Sequence, residues 1–383
     1  STYVNGNDYC SVVVKTREGR PIKIDGNKLS TVSGGGTSAQ AQASVLSLYD
    51  KERLTGPKKS GQNTDWKTLD AEVIAQLDDI AEKGGQVALV SSSILSPTTK
   101  KAAGEFLAKY SNAKHITYDA ISAYGISEAN RRSFGAAMIP SYDFSKAKTI
   151  VSLGADFLGT WISPIEFTKQ YSKTRKINDH HREMSRHFQF ESNLSLTGAN
   201  ADYRTAIKPT DEGAVIVSLY NAIASKAGQA GVANMASDAA HLEMAANELW
   251  ASKGASLVVS GSNDPSIQTL VNGINSMLGN YGTTINTDIP MNFRQGNDAD
   301  MAQFAKDLNG GSVAGVFFID CNPAYDSADA ATIAGAISKA QLSVSMSDRM
   351  DETAALVNYI APNHHYLEQW NDAELKEGHY SLI

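Results

Sequence analysis

The chain has 383 residues, of which 42% are hydrophobic and 20% charged, with 30 glycines and 10 prolines. That length leaves room for two or three domains, and that composition excludes a disordered chain. The formal charge of −7, with no basic stripe, excludes nucleic acid and an anionic lipid surface as the main partner.

The first ~55 residues read as short strands and turns. Ser11 to Thr16 (SVVVKT) is rich in β-branched residues, Glu18-Gly19-Arg20-Pro21 is a turn, and Pro21 to Asp25 alternates apolar and polar. Ser33-Gly34-Gly35-Gly36 is a loop, and Ala39 to Tyr49 has helical spacing. The triple glycine lacks the G-x-x-x-x-G-K pattern of a phosphate loop.

From Asp65 the rhythm changes. Thr68 to Lys83 is an amphipathic helix stopped by Gly84-Gly85, Gln86 to Ser91 a buried strand, Pro97 to Tyr110 a second helix, and His115 to Tyr118 the start of another strand. Thr149–Leu153 (TIVSL), Ser256–Ser260 (SLVVS) and Gly315–Ile319 (GVFFI) are continuous apolar runs. Such runs belong to parallel strands covered on both faces. The predicted fold class is therefore α/β, with doubly wound, mostly parallel sheets and a small N-terminal β-rich domain.

Each apolar run ends in a polar or glycine-bearing turn: Gly154-Ala155-Asp156, Gly261-Ser262-Asn263-Asp264 and Asp320-Cys321-Asn322-Pro323. Ligands in open α/β sheets bind beyond the carboxyl ends of the strands, so a site is expected at these turns. Ala147 to Asp156 and Val313 to Asn322 echo each other as strand, tight turn, then Asp or Asn. The echo suggests two related half-sites. Lys173 to Glu191 is dense in charge and histidine and reads as a solvated loop and helix. No run of about 18 apolar residues occurs, so no transmembrane helix is predicted.

Several ordered pieces carry a family resemblance. They are Val14 to Asn27, Ala41 to Pro57, Pro140-Ser141-Tyr142-Asp143-Phe144 leading into Leu153 to Leu158, Asn322 to Asp326 with Asp351-Glu352-Thr353-Ala354, and Leu367 to Asp372. In this order they resemble the large subunit of the molybdopterin oxidoreductases over nearly the whole chain. Within that family the chain resembles the periplasmic branch around polysulfide reductase, and above all the molybdopterin-like iron–sulfur subunit of alternative complex III, a quinol-oxidising respiratory assembly.

The resemblance implies domains at 1–57 (a vestigial cluster domain), at 58–145 with about 310–383, and at 146–309. It also exposes departures. The family holds a four-iron cluster with C-x2-C-x3-C and a later fourth cysteine. Aligned on Gly19-Arg20-Pro21, those positions fall on Tyr3, Gly6, Cys10 and Ser38, and the family's relay lysine falls on Gln40. One thiolate cannot hold the cluster. Cys10 and Cys321 are the two cysteines of the chain, and both read as buried small hydrophobes.

The resemblance then implies a vestigial cofactor cleft at Gly154, Asp156, Asn322, Asp351, Glu352 and Thr353, with no catalytic residue and no metal ligand. Molybdopterin and the four-iron cluster are expected to be absent. The expected partners are iron–sulfur, haem and integral membrane subunits of a membrane-bound respiratory complex on the periplasmic side of the inner membrane. Two alternatives stand beside this reading: an active molybdenum or tungsten oxidoreductase built on the same six residues, and a relative of the large peripheral subunit of bacterial NADH dehydrogenase. His180, His181 and His187 lack the spacing of a metal site. His364-His365 is expected to be a hydrogen-bonded loop pair.

Overall fold

The computed structural model describes every residue except 6, 7, 178, 180, 181, 233 and 234. The N-terminal strands Thr2–Asn5, Asp8–Arg17 and Arg20–Gly26 form an antiparallel sheet. The helix Ala39–Leu48 packs on it through Ala41 and Val45. Ser38 caps that helix, its hydroxyl accepting from the Ala41 amide at 3.1 Å.

The largest sheet has seven strands. Its parallel centre runs in the order Tyr359–Ile360, Leu342–Ser345, Val313–Ile319, Gln86–Ser91, Ala113–Thr117. The short strands Lys58–Lys59 and Gln62–Asn63 extend one edge antiparallel. The helix Trp66–Glu82 shows why sequence and packing agree. Leu69, Val73, Leu77 and Ile80 recur at helical spacing and are all buried, each worth about 1.5–3 kcal/mol relative to exposure. Asp65 caps its first turn, and Gly84 takes the left-handed φ of +68° that ends it.

A second, four-stranded parallel sheet runs Tyr203–Ala206, Arg186–Glu191, Thr149–Leu153, Ser256–Ser260. The helix Asp298–Asn309, which the sequence expectation grouped with this unit at 146–309, packs instead in the core of the seven-stranded sheet through Met301, Phe304, Ala305 and Leu308. Its apolar stripe meets the Ala113–Thr117 side of that sheet.

The reading of Lys173 to Glu191 as a solvated loop and helix holds for the described residues as far as Met184 and fails at the C-terminal end. The helix Pro164–Arg175 reaches into it, and Arg186–Glu191 is a strand inside the second sheet. Phe188 and Phe190 fill one face, while His187, Gln189 and Glu191 are buried on the other. The polar side chains satisfy one another: His187 Nε2 meets Gln189 Oε1 at 3.2 Å, and Gln189 Nε2 donates to Glu191 at 3.0 Å. A buried polar row of this kind is tolerated only when paired, and its composition mimics a surface loop.

A third sheet is antiparallel, ordered His379–Leu382, Asp372–Lys376, Ile285–Met291, Ile139–Tyr142. It packs a C-terminal hairpin against the second unit. Among the described residues no helix is long and apolar enough to cross a membrane.

Candidate functional site

The carboxyl ends of the seven-stranded sheet open onto a cavity of about 820 Å³. Its walls come from Ser92–Ser96 after one strand, Asp119 after the next, Asp320–Asn322 after the central strand and Met346–Arg349 beyond its neighbour. The N-terminal unit closes one side with Tyr3, Gln40 and Ser44, and the 363–373 segment closes another. This is where an open α/β sheet presents its ligand site.

The loops are held by their own side chains. Asp119 accepts from the Ser93 amide and hydroxyl and from the Gly296 amide at 3.1, 2.7 and 2.8 Å. Asp372 accepts from Ser96 and Thr98 hydroxyls. His365 meets the Ser47 hydroxyl at 3.0 Å, and Arg53 joins Asp348 to Glu368. Asp119, Asp348 and Asp372 carry no motif spacing. The turn Asp320-Cys321-Asn322 is the part of this wall that the sequence marks.

The six residues expected to form the cleft do not gather in one place. Asn322 and Asp351 line the cavity, and Glu352 and Thr353 stand behind Asn322 as its hydrogen-bond partners. Gly154 and Asp156 lie on the second sheet, outside the cavity lining. The sequence echo is nevertheless repeated in three dimensions. Each strand is followed by a left-handed residue, Gly154 at φ +65° and Asp320 at φ +48°. Two positions later Asp156 accepts from the Thr197 amide and hydroxyl at 3.0 and 2.7 Å, and Asn322 accepts from the Thr353 amide and hydroxyl at 3.0 and 2.7 Å. Two further on, the Leu158 and Ala324 amides donate to those same threonine hydroxyls at 2.9 and 3.0 Å. In both halves the side chain locks the loop to the segment following the neighbouring strand.

A family model described as molybdopterin oxidoreductase matches residues 53–381. The chain belongs to the molybdopterin oxidoreductase family.

Among members of known sequence, the chain is 26% identical over 214 residues to the molybdopterin-binding-like subunit of menaquinone reductase from Nitratidesulfovibrio vulgaris, covering 54% of this chain and 30% of that one. It is 22% identical over 234 residues to dopamine dehydroxylase of Eggerthella lenta, covering 58% of this chain and 22% of that one. The chain thus spans a third or less of these relatives' length. Acetylene hydratase from Pelobacter acetylenicus has the same fold, with a TM-score of 0.71 at 12% identity over 97% of this chain and 64% of that one. A second structure, the formyltransferase/hydrolase complex from Methylorubrum extorquens, aligns with a TM-score of 0.53 at 11% identity over 85% of this chain and 92% of that one.

Of the positions aligned above with the family's cluster ligands, Gly6 lies outside the described residues. Cys10 is fully buried in an apolar cluster with Tyr3, Val12, Ile24 and Val45, opposite Tyr3 in the strand register. Ser38 is a helix cap, and Gln40 lines the cavity. Among the described residues no group of three or more His, Cys, Asp or Glu is placed to hold a metal ion. His180 and His181 lie outside the described residues, and His187 is a core residue. Cys321 lines the cavity with its thiol directed to the Val90 carbonyl at 3.4 Å, and burial pushes the thiol well up.

The cavity wall is acidic. Asp119, Asp320, Asp326, Asp348, Asp351 and Asp372 line it, against Arg349 and no lysine. Arg349 is itself bound to Asp50, with Asp348 at 3.8 Å. Burial raises the carboxyls of Asp320 and Asp326, and Asp348 and Asp351 respectively add to the rise. The family's pterin dinucleotide carries phosphates, which arginines, lysines or helix-end amides neutralise. The lining side chains set six aspartates against one paired arginine and two histidines, a set poor in the cations that such phosphates need.

Proposed function

We propose that the chain is a structural subunit of a membrane-bound respiratory complex that oxidises quinol, of the alternative complex III type. In this reading it carries neither molybdopterin nor a four-iron cluster. It lies on the periplasmic side of the bacterial inner membrane, held there by integral membrane subunits, while iron–sulfur and haem subunits carry the electrons. The observation that carries the reading is the acidic wall of the cavity, where phosphate groups would meet six aspartates and one engaged arginine. The burial of Cys10 in an apolar cluster supports the loss of the cluster, since a four-iron cluster needs thiolates converging on one point. The name of the Nitratidesulfovibrio relative, a molybdopterin-binding-like subunit of a menaquinone reductase, supports membership of a multi-subunit quinone-linked assembly.

The test is elemental analysis of the native assembly purified from membranes. Molybdenum and tungsten near zero per chain, with haem and iron–sulfur subunits co-purifying, is the expected result. About one metal per chain overturns the cofactor-free reading. A chain that purifies without partner subunits overturns the complex. The second reading, an active molybdenum or tungsten oxidoreductase, is favoured by the identity with dopamine dehydroxylase and predicts the metal-loaded outcome.

A further inference from the structure

The N-terminal antiparallel sheet has one face covered and one largely bare. Cys10, Val12 and Ile24 pack with Ala41 and Val45 of the helix Ala39–Leu48. Alternation along the strand Asp8–Arg17 turns Tyr9, Val13, Lys15 and Arg17 the other way. Tyr9 is covered there, packed with Phe293 and Leu375. Val13, Lys15 and Arg17 are exposed.

The register of the hairpin sets like charges against each other on that bare face. Lys15 lies directly opposite Lys23, and Arg17 directly opposite Arg20. Asp25, opposite Val13, is bound to Lys23 at 2.7 Å. Glu18 stands in the turn between the strands. Among the described residues neither acid forms an ion pair with Lys15, Arg17 or Arg20. Two apolar side chains lie among the cations. Val13 is 54% exposed, and Ile22, the residue that the register skips, is 50% exposed.

Like charges directly opposite in a ladder weaken it, and no side chain of the hairpin offsets these two pairs. Carboxylates brought from outside turn both repulsions into attraction. Val13 and Ile22 then supply an apolar centre inside a charged rim, the anatomy of a protein interface. A lipid surface fits less well. Four cations at an anionic bilayer give a dissociation constant of only about a millimolar, and the chain as a whole carries −7.

We propose that this hairpin face docks an acidic surface of a partner protein subunit, with carboxylates against Lys15, Arg17, Arg20 and Lys23 and an apolar contact over Val13 and Ile22. The inference rests on the reading of the chain as a subunit of a larger assembly.

The experiment uses the native assembly purified from membranes. A carbodiimide joins lysine amines to carboxylates in contact with them, and mass spectrometry of the digest identifies both ends. Lys15 or Lys23 joined to an Asp or Glu of another polypeptide is the expected result. Both lysines are also expected to be acetylated at least tenfold more slowly in the assembly than in the purified chain alone. In K15E/R17E each repulsive pair becomes an attractive one. The Tm of that variant is therefore expected to stay level or rise, while the share of chain recovered with its partners falls tenfold or more. An intact assembly in which both lysines are freely acetylated overturns the docking surface and leaves the reading above standing. A chain that purifies without partners overturns both. Equal protection of the chain alone by phosphatidylglycerol vesicles assigns the face to lipid and overturns the proposal, as does undiminished recovery of partners with K15E/R17E.

Discussion

Asn322 accepts hydrogen bonds from both the amide and the hydroxyl of Thr353, at 3.0 and 2.7 Å, and so ties the end of the central strand to the loop beyond its neighbour. Asp156 and Thr197 do the same in the other sheet at the same distances. N322A and D156A are each expected to destabilise the protein by about 1–3 kcal/mol, the cost of opening partly buried donors. Double-mutant cycles with T353V and T197V, read from urea midpoints, are expected to show coupling within each pair. They are expected to show none between Asn322 and Thr197, which lock different sheets. Additivity within a pair sinks the idea that these residues are loop locks.

The two locks differ in one respect. Asn322 also donates through Nδ2 to Glu352 at 2.7 Å. N322D replaces that donor with a carboxylate facing a carboxylate. Its loss of stability is expected to be larger at pH 7 than at pH 4, because protonating one of the pair relieves the repulsion. A variant whose deficit does not shrink on acidification speaks against the contact.

His187 gives the fold an acid-sensitive point. It is fully buried, with Nδ1 at 3.2 Å from the Tyr171 hydroxyl and Nε2 at 3.2 Å from Gln189. Burial pushes its pKa down to about 4, against ~6.5 in the unfolded chain. Between those values the unfolded chain binds more protons, so stability rises with pH through that window. The contribution is complete above ~6.5 and is lost as the pH falls toward 4, with up to about 3 kcal/mol at stake. H187Q is expected to narrow the gap between urea midpoints at pH 4.5 and 7.5. An unchanged gap would mean that other groups set the acid sensitivity.

Gly125 begins the helix Tyr124–Phe134 pressed against the Asn263 backbone. A Cβ there would sit 2.5 Å from the Asn263 carbonyl oxygen. Backbone yields poorly, so G125A is expected to cost about 1–3 kcal/mol through overpacking. The loss would appear as a lower Tm. A Tm equal to the parent's would show that the two segments separate freely.

Much of the parallel architecture was legible. Thr149–Leu153 and Ser256–Ser260 are apolar throughout because both faces of their sheet are covered, and Asp65, Leu69, Val73 and Gly84 write out a capped amphipathic helix. Arg186–Glu191 was illegible because its buried face carries His187, Gln189 and Glu191, which are paired only after folding. The antiparallel sheet was also unread. Its strands Ile139–Tyr142, Ile285–Met291 and Asp372–Lys376 are far apart in the chain, and nothing local to any of them names its neighbours.

The sequence by itself determined the α/β rhythm, the family, the departures at Tyr3, Ser38 and Gln40, and the echo between Asp156 and Asn322. Each of these is a local pattern or an order of residues along the chain. Only the tertiary structure decided that the two echoing turns are tied to matching threonines, Thr197 and Thr353. It alone brought six aspartates from six separate positions onto one cavity wall, and set Glu166 beside Lys376 across 210 positions. Charge convergence is a property of distance in space, which spacing along the chain does not encode.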